Sequence, residues 1–511
     1  MLAVVAWLAV AGSPAPAARA FEPIAYTVTI AAPDSQMAEV EARVPTGRRP
    51  AIDLMMAVWS PGFYRVENYA TRVQDLVVRS ADRTALQVTQ PQKNRWRIQT
   101  TGTATVVVSY RVACRERSVT TNWVSANLVV LNGAPTFVTL AEQGRRPHDV
   151  RLRLPASLPR VATALEPAQG GGPNAFRAPD FDTLVDSPIV AGELDVQEFD
   201  VDGRRHSLVN AGDHQAFDGR QAAMDVQKVV RAARQLFGTL PYKRYVFLNV
   251  FRQGGGGLEH ANSTLLTASA ARATTPAGYR SWLAFVAHEY FHAFNVKRLR
   301  PVELGPFDYE REPRTTSLWM AEGFTSYYET LLLARAGLAD TTALLASWSS
   351  PIRQLQQAPG RLVQTLEQSS RDVWTNSMSG VGVGANTVSY YVKGEVVGLL
   401  LDAHVRHVTI GRRSLDDVMR LAWKRYSGKR GFTPEQFTKT AEDVAGVSFG
   451  EWVRKAVAST DELDYTEMLE WYGLRFAAAT GLPAQAWTLE VCEDATEAQR
   501  AHLRAMSGKG W

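Results

Sequence analysis

The pattern in this sequence best suited to chemistry is His288-Glu-Tyr-Phe-His292, two histidines four residues apart with a glutamate directly after the first. On a helix, side chains four apart lie on one face about one turn apart, so both imidazoles can meet a single metal ion. Glu289 projects from the adjacent position, where it can reach a water on that ion without ligating it, the placement of a general base. The spacing alone can arise by chance on any amphipathic helix. Here Trp282, Phe285, Val286 and Phe291 surround it, and burying two histidines and a glutamate among such residues is costly without a metal or partners.

Zinc fits this donor set and requires a third protein ligand. His260 and His404 are available by type. Glu322 is the stronger candidate, because Trp319-Met-Ala-Glu-Gly-Phe-Thr-Ser-Tyr-Tyr328 is a helical stretch introduced by the capping residues Thr316 and Ser317, which lets a second helix present the carboxylate. Two histidines and one glutamate leave the fourth position open, the signature of a catalytic rather than a structural zinc site. The expectation is one Zn2+ per chain, held by His288, His292 and Glu322.

The elements that must position these residues fall into two halves. Apolar residues alternate at Ile24, Tyr26, Val28 and Ile30, at Val40, Ala42 and Val44, at Trp96 and Ile98, from Val106 to Val112, and at Val150, Leu152 and Leu154. Residues 21 to about 200 are therefore expected to form a β-sandwich. From Met224 to Phe237 the period becomes helical, with Gly238 as C-cap. Tyr245–Phe251 is a predicted strand running into Gly254-Gly-Gly-Gly257, and helical patterns follow at 282–299, 317–336, 391–407, 414–426 and 434–445. No internal repeat is evident.

Composition sets the outer limits. The chain has 511 residues, 45% hydrophobic and 21% charged, values of an ordinary folded protein too long for one core. Its net charge of +5 comes from basic residues scattered among nearly as many acidic ones, which argues against nucleic-acid binding. Two distant cysteines, Cys114 and Cys492, offer neither a disulfide framework nor a thiolate metal site, although they could form one bridge. The first twenty residues, ending Ala18-Arg19-Ala20, have the form of a secretory signal, so export to the periplasm or medium is expected. No segment is apolar enough for stable membrane insertion.

Taken together, several motifs resemble the zinc-dependent glycyl aminopeptidases, a family that often carries a PDZ domain and is distantly related to the alanyl aminopeptidases of the thermolysin-like group. The motifs are Trp59-Ser-Pro-Gly-Phe-Tyr64, Gly256-Gly-Leu-Glu-His260, His288–His292, Pro306-Phe-Asp-Tyr309, Trp319–Phe324 and Ser389-Tyr-Tyr-Val-Lys-Gly394. The resemblance implies that Glu259 binds the α-amine of a peptide with a free N-terminus, that Gly256 and Gly257 let the substrate backbone approach, and that Tyr391 donates a hydrogen bond to the developing oxyanion. It also implies a preference for small first residues such as Gly or Ala. Asp308 and Tyr309 match the family without an assigned role.

The resulting expectation is an α+β multidomain protein: a signal peptide (1–20), an N-terminal β-sandwich (21–205), a thermolysin-like catalytic domain (206–340), a helical domain (341–475) and a tail (476–511) too short for a PDZ module. A zinc endopeptidase and a peptide-binding homologue without catalysis remain the alternative functions, and the oligomeric state is open.

Overall fold

The computed structural model describes residues 21–141, 145–376, 386–477 and 487–508. The expected signal peptide lies outside the described residues, as does part of the expected tail.

In the first half the alternating residues form strands because each apolar face meets another sheet. A seven-stranded sheet contains Ile24–Thr29, Met37–Pro45, Val73–Ser80 and Thr105–Ala113 among its strands. Its Val40, Ala42, Val108 and Tyr110 share a core with Ile52, Leu54, Trp96 and Ile98 of a four-stranded sheet. A third sheet, which includes Leu128–Leu131 and Ile189–Gly192, has two apolar faces. Val129, Leu131, Ile189 and Ala191 join the sandwich core, while Leu128, Val130 and Val190 pack against Val209, Val246, Leu248 and Val250 of the second unit. That shared apolar layer fixes the first unit on the second.

The second unit is built on a five-stranded sheet with the order Asp195–Val201, Arg204–Gly212, Arg244–Phe251, Ser263–Ala268, Gly256–Glu259. The boundary expected at residue 205 thus falls inside a strand. Asp195–Val201 pairs antiparallel with Arg204–Gly212, so the second unit begins near residue 194. A period-two pattern shows that a strand exists and says nothing about which sheet it joins. Arg244–Phe251 is buried along nearly its whole length because both faces are covered. Tyr245, Phe247 and Phe251 face the helical core, whereas Val246, Leu248 and Val250 face the N-terminal unit.

The helix expected over 282–299 spans Pro276–Phe291. It begins where the Thr275 hydroxyl accepts from Gly278 N–H and Pro276 occupies the first turn, both favourable at an N-terminus. Beyond His292 the chain turns back through Val296, whose φ is 82° and whose N–H donates to Leu299 O. The stretch expected as one helix over 317–336 divides into a π-turn, Trp319–Gly323, and a helix, Phe324–Arg335; such wide turns recur at functional sites. Helix Tyr390–Val408 crosses there. A Cβ on Gly323 would meet the Gly394 backbone, and one on Gly394 would stand 2.8 Å from Trp319 O, so these two glycines permit the close crossing that brings Tyr391 beside Glu322. Among the described residues the helical stretch after 340 accordingly has no core of its own. Leu399 and Leu401 belong to the same core as Tyr327 and Leu331, and the separate helical domain expected over 341–475 merges with the catalytic unit.

Asp308 and Tyr309 acquire a structural role. Trp59 Nε1 donates to Asp308 O (2.9 Å), Val58 N–H donates to Tyr309 O (2.8 Å), and the Tyr309 hydroxyl donates to Asp182 Oδ1 (2.8 Å). Edge-on contact between Trp59 and Trp374 (5.3 Å between centroids) completes a clasp between the two units. Cys114 and Cys492 are both free. No helix among the described residues is long and apolar enough to cross a membrane.

Candidate active site

Four elements of the second unit and two loops of the first converge on a cleft of about 550 Å3 lined by Glu259, His288, Glu289, His292, Glu322 and Tyr391, among others. His288 and His292 come from the last turn of Pro276–Phe291 and its C-cap, and Glu322 from the π-turn. Glu259 ends the edge strand, and Tyr391 lies in the first turn of its helix.

His292 Nε2 stands 3.2 Å and His288 Nε2 3.8 Å from Glu322 Oε2. Ligands about 2.1 Å from a tetrahedral zinc are separated by about 3.4 Å, so the three atoms have the spacing of a zinc site. The other nitrogens are occupied elsewhere. His288 Nδ1 lies 2.9 Å from Glu329 Oε2, and His292 Nδ1 lies 3.3 Å from Asn295 O and 3.4 Å from Thr325 Oγ1. An Nδ1–H donated to these acceptors leaves each Nε2 lone pair facing Glu322, the arrangement that orients imidazole ligands. Asn295 in turn donates to Met320 O (2.8 Å) and Ala321 O (3.0 Å), tying the turn after the histidines to the turn that carries Glu322.

Charge gives the same indication. Glu322, Glu259 and Glu289 are 2%, 3% and 5% exposed, too buried to ionise side by side without a cation. Burial raises the Glu322 pKa, but the His292 and His288 cations outweigh it and hold the carboxyl at about 2. Burial opposes charge on His288, yet the neighbouring Glu322 and Glu329 carboxylates carry its pKa well above the ordinary imidazole value. His292 is raised likewise, chiefly by Glu322 and Glu259 against the effect of burial. The cluster therefore collects protons in the absence of a metal, and a divalent cation would displace them. Glu289 is pushed to about 8 by burial, with Glu259 and Glu322 adding to the shift and the two histidines opposing it. Oε2 of Glu289 and Oε1 of Glu259 are buried with no hydrogen-bond partner among the described residues. Such atoms call for an ion, water or substrate.

The two glycines named with the substrate differ. A Cβ on Gly257 would overlap the Glu289 carboxylate and Phe285, whereas one on Gly256 would make only ordinary contacts. Tyr391 stacks on His288 (6.2 Å, 20°). The two other histidines lie apart from the metal cluster: His260 Nδ1 is 3.1 Å from Asp186 Oδ1, and His404 Nδ1 is 2.8 Å from Glu467 Oε2. Sequence reasoning missed Glu329, Asn295, Thr325 and Tyr64, whose hydroxyl donates to Glu322 Oε1 at 3.2 Å. A signal was available for two of them, since Thr325 and Glu329 lie three and seven residues beyond Glu322, on the same helix face.

Fold and site together define a metallopeptidase with an aminopeptidase-N-like architecture, and comparison with known proteins gives its family. The family model for the Peptidase M61 N-terminal domain matches residues 25–193 and that for M61 glycyl aminopeptidase matches residues 281–397; the chain belongs to this family. An aminopeptidase N family protein from Idiomarina loihiensis is similar in structure with a TM-score of 0.83 and 28% identity, over 88% of this chain and 78% of that one. An M1 zinc metallopeptidase from Deinococcus radiodurans shares the fold (TM-score 0.53, 15% identity, 87% of this chain and 95% of that one). No curated protein matches the chain in sequence. The enzyme is a metallo-aminopeptidase by family, peptides are its substrates, and zinc is the metal that the donor set fits.

Because Glu329 orients His288 without entering the donor set, Glu329→Ala should weaken zinc binding by roughly 10–100-fold. Competition with a chromogenic chelator measures this, and an unchanged affinity would remove Glu329 from the site.

Proposed function

We propose that the enzyme removes small N-terminal residues, Gly or Ala, from peptides, with His288, His292 and Glu322 holding one zinc ion. Zinc in that position supplies Lewis acidity, polarising a carbonyl and lowering the pKa of water to roughly 7. Glu289 takes the proton from the attacking water and returns it to the departing amine. Its unpartnered buried oxygen beside the histidines supports that role. The Tyr391 phenol donates to the oxyanion as charge develops; burial and the neighbouring Glu322 raise its pKa well above the ordinary value, which keeps the donor proton in place.

The observation that carries aminopeptidase action is the position of Glu259. Ligand-type atoms of Glu259, Glu289 and His292 lie within 4.8 Å of one another. An ammonium group paired with Glu259 therefore leaves only about one residue between the amine and the bond beside Glu289. A Cβ on Gly62 would overlap the Glu259 carboxylate, so the Gly62–Phe63 loop closes the cleft behind the amine and leaves a longer N-terminal extension no path. The small space there favours Gly or Ala. On the open side, Gly256–Glu259 is the edge strand of its sheet and offers backbone groups to an extended substrate.

Glu289→Gln should retain zinc while losing at least ~10²-fold in kcat. Metal analysis together with single-turnover rates separates the two effects, and near-normal turnover would assign the base elsewhere. N-acetylation of an alanine-initiated peptide should abolish cleavage, because the buried Glu259 carboxylate loses its counter-charge, a penalty on the order of 2–5 kcal/mol. In Glu259→Ala the kcat/KM ratio between free and acetylated peptide should shrink sharply. Equal rates on both peptides in the unmodified enzyme would instead establish an endopeptidase.

A further inference from the structure

The acidic centre of the cleft gives way to two arginines at its other end. Arg252 and Arg117 line the same cleft as the catalytic cluster. Both guanidinium groups lie over the ring of the buried Trp123, at 5.4 and 5.9 Å from its centroid. Arg252 Nη2 donates to Arg117 O (2.7 Å) and its Nη1 to Gln253 O (2.6 Å), which fixes the half-buried side chain with two of its five N–H donors in use. Neither arginine forms an ion pair among the described residues, and they are the two lysine or arginine side chains that line the cleft there. Two like charges held over one ring without a counter-charge constitute an anion site, and a guanidinium fork matches a carboxylate.

Register sets the distance. Glu259 pairs with Thr264 and Gly256 with Thr267, while Arg252 N–H donates to Ala268 O. Along the strand direction Glu259 and Arg252 are therefore offset by four residues, about 13 Å; Arg252 leaves the sheet on the far side of Ser263–Ala268 from the edge strand, and its side chain returns to line the cleft. A peptide lying antiparallel along the edge strand with its amine at Glu259 spans about 3.3–3.6 Å per residue, so its third or fourth residue arrives at the arginines.

We propose that Arg252 and Arg117 form a carboxylate subsite that takes the C-terminal carboxylate of a tripeptide or tetrapeptide whose amine is held at Glu259. The assignment rests on the aminopeptidase reading, because Glu259 sets the direction of the substrate. It makes the enzyme a peptidase of short peptides, with a charge clamp at each end of the substrate.

The test compares Ala-Ala-Ala with its C-terminal amide in two measurements. In steady state, kcat/KM for the free acid should exceed that for the amide by about tenfold, a size typical of a charge-assisted hydrogen bond, and the difference should lie in KM because this contact is remote from the reacting bond. By calorimetry in the zinc-loaded Glu289→Gln protein, which binds without turnover, the same preference should appear in Kd. Arg252→Gln should reduce the ratio to near one, Arg252→Lys should keep part of it, and Arg252→Glu should reverse it; Arg117→Gln provides an independent reduction. If the enzyme cleaves and binds both peptides equally, the subsite is refuted while aminopeptidase action stands. A preference that survives both Arg252→Gln and Arg117→Gln refutes the residue assignment. Absence of cleavage of either peptide, with binding that still prefers the free acid, would support the subsite and count against the catalytic reading.

Discussion

The structure is organised around a carboxylate, Glu322, buried between two imidazoles. With Glu259 and Glu289 also at the floor of the cleft, three acidic side chains are almost wholly buried side by side, and Glu329 adds a fourth at its edge. In low dielectric, like charges at such distances cannot all persist unless a cation joins them. His288 and His292 can supply positive charge by taking up protons, and a divalent metal supplies it with better geometry and leaves the imidazoles neutral. The acidic cluster, the outward-tethered Nδ1 atoms and the unpartnered oxygens of Glu259 and Glu289 are consequences of that one requirement.

The fold meets the requirement by close approach at a few points. Gly323 and Gly394 permit the helix crossing that carries Tyr391 to Glu322, and Gly257 allows the edge strand to lie against Glu289. The N-terminal unit contributes directly, since Tyr64 donates to Glu322 and the neighbouring Gly62 backs Glu259. The clasp at Trp59 and Asp308 keeps that loop in place. The β-rich unit is thus part of the cleft, and the apolar layer between Val130, Val190, Val246 and Leu248 transmits its position to the catalytic sheet.

Much of this was legible in the residues, and the limits are physical. His288 and His292 declare themselves by a four-residue spacing that only a helix converts into proximity, and Glu322 by a helical stretch that can face them. Strands and most helices follow from apolar period. What the period cannot encode is which sheet a strand joins, as for Asp195–Val201, or where one core ends, as for the helices after 340 that share a core with the catalytic unit. The turn after Phe291 depends on Val296 adopting a positive φ, which a β-branched residue gives no reason to expect. Asn295, Tyr64 and Asp308 act through contacts across 25 or more residues of chain, beyond the reach of any local pattern. Arg252 and Arg117 meet over the Trp123 ring from positions 135 residues apart in the chain.

The measurement that bears most directly on this account is an anomalous difference map at the zinc absorption edge from crystals of the zinc-loaded enzyme. A single peak should lie 2.0–2.2 Å from Nε2 of His288, Nε2 of His292 and a carboxylate oxygen of Glu322, distances ordinary for zinc. A peak held by other residues, or none in protein saturated with zinc, would contradict the account.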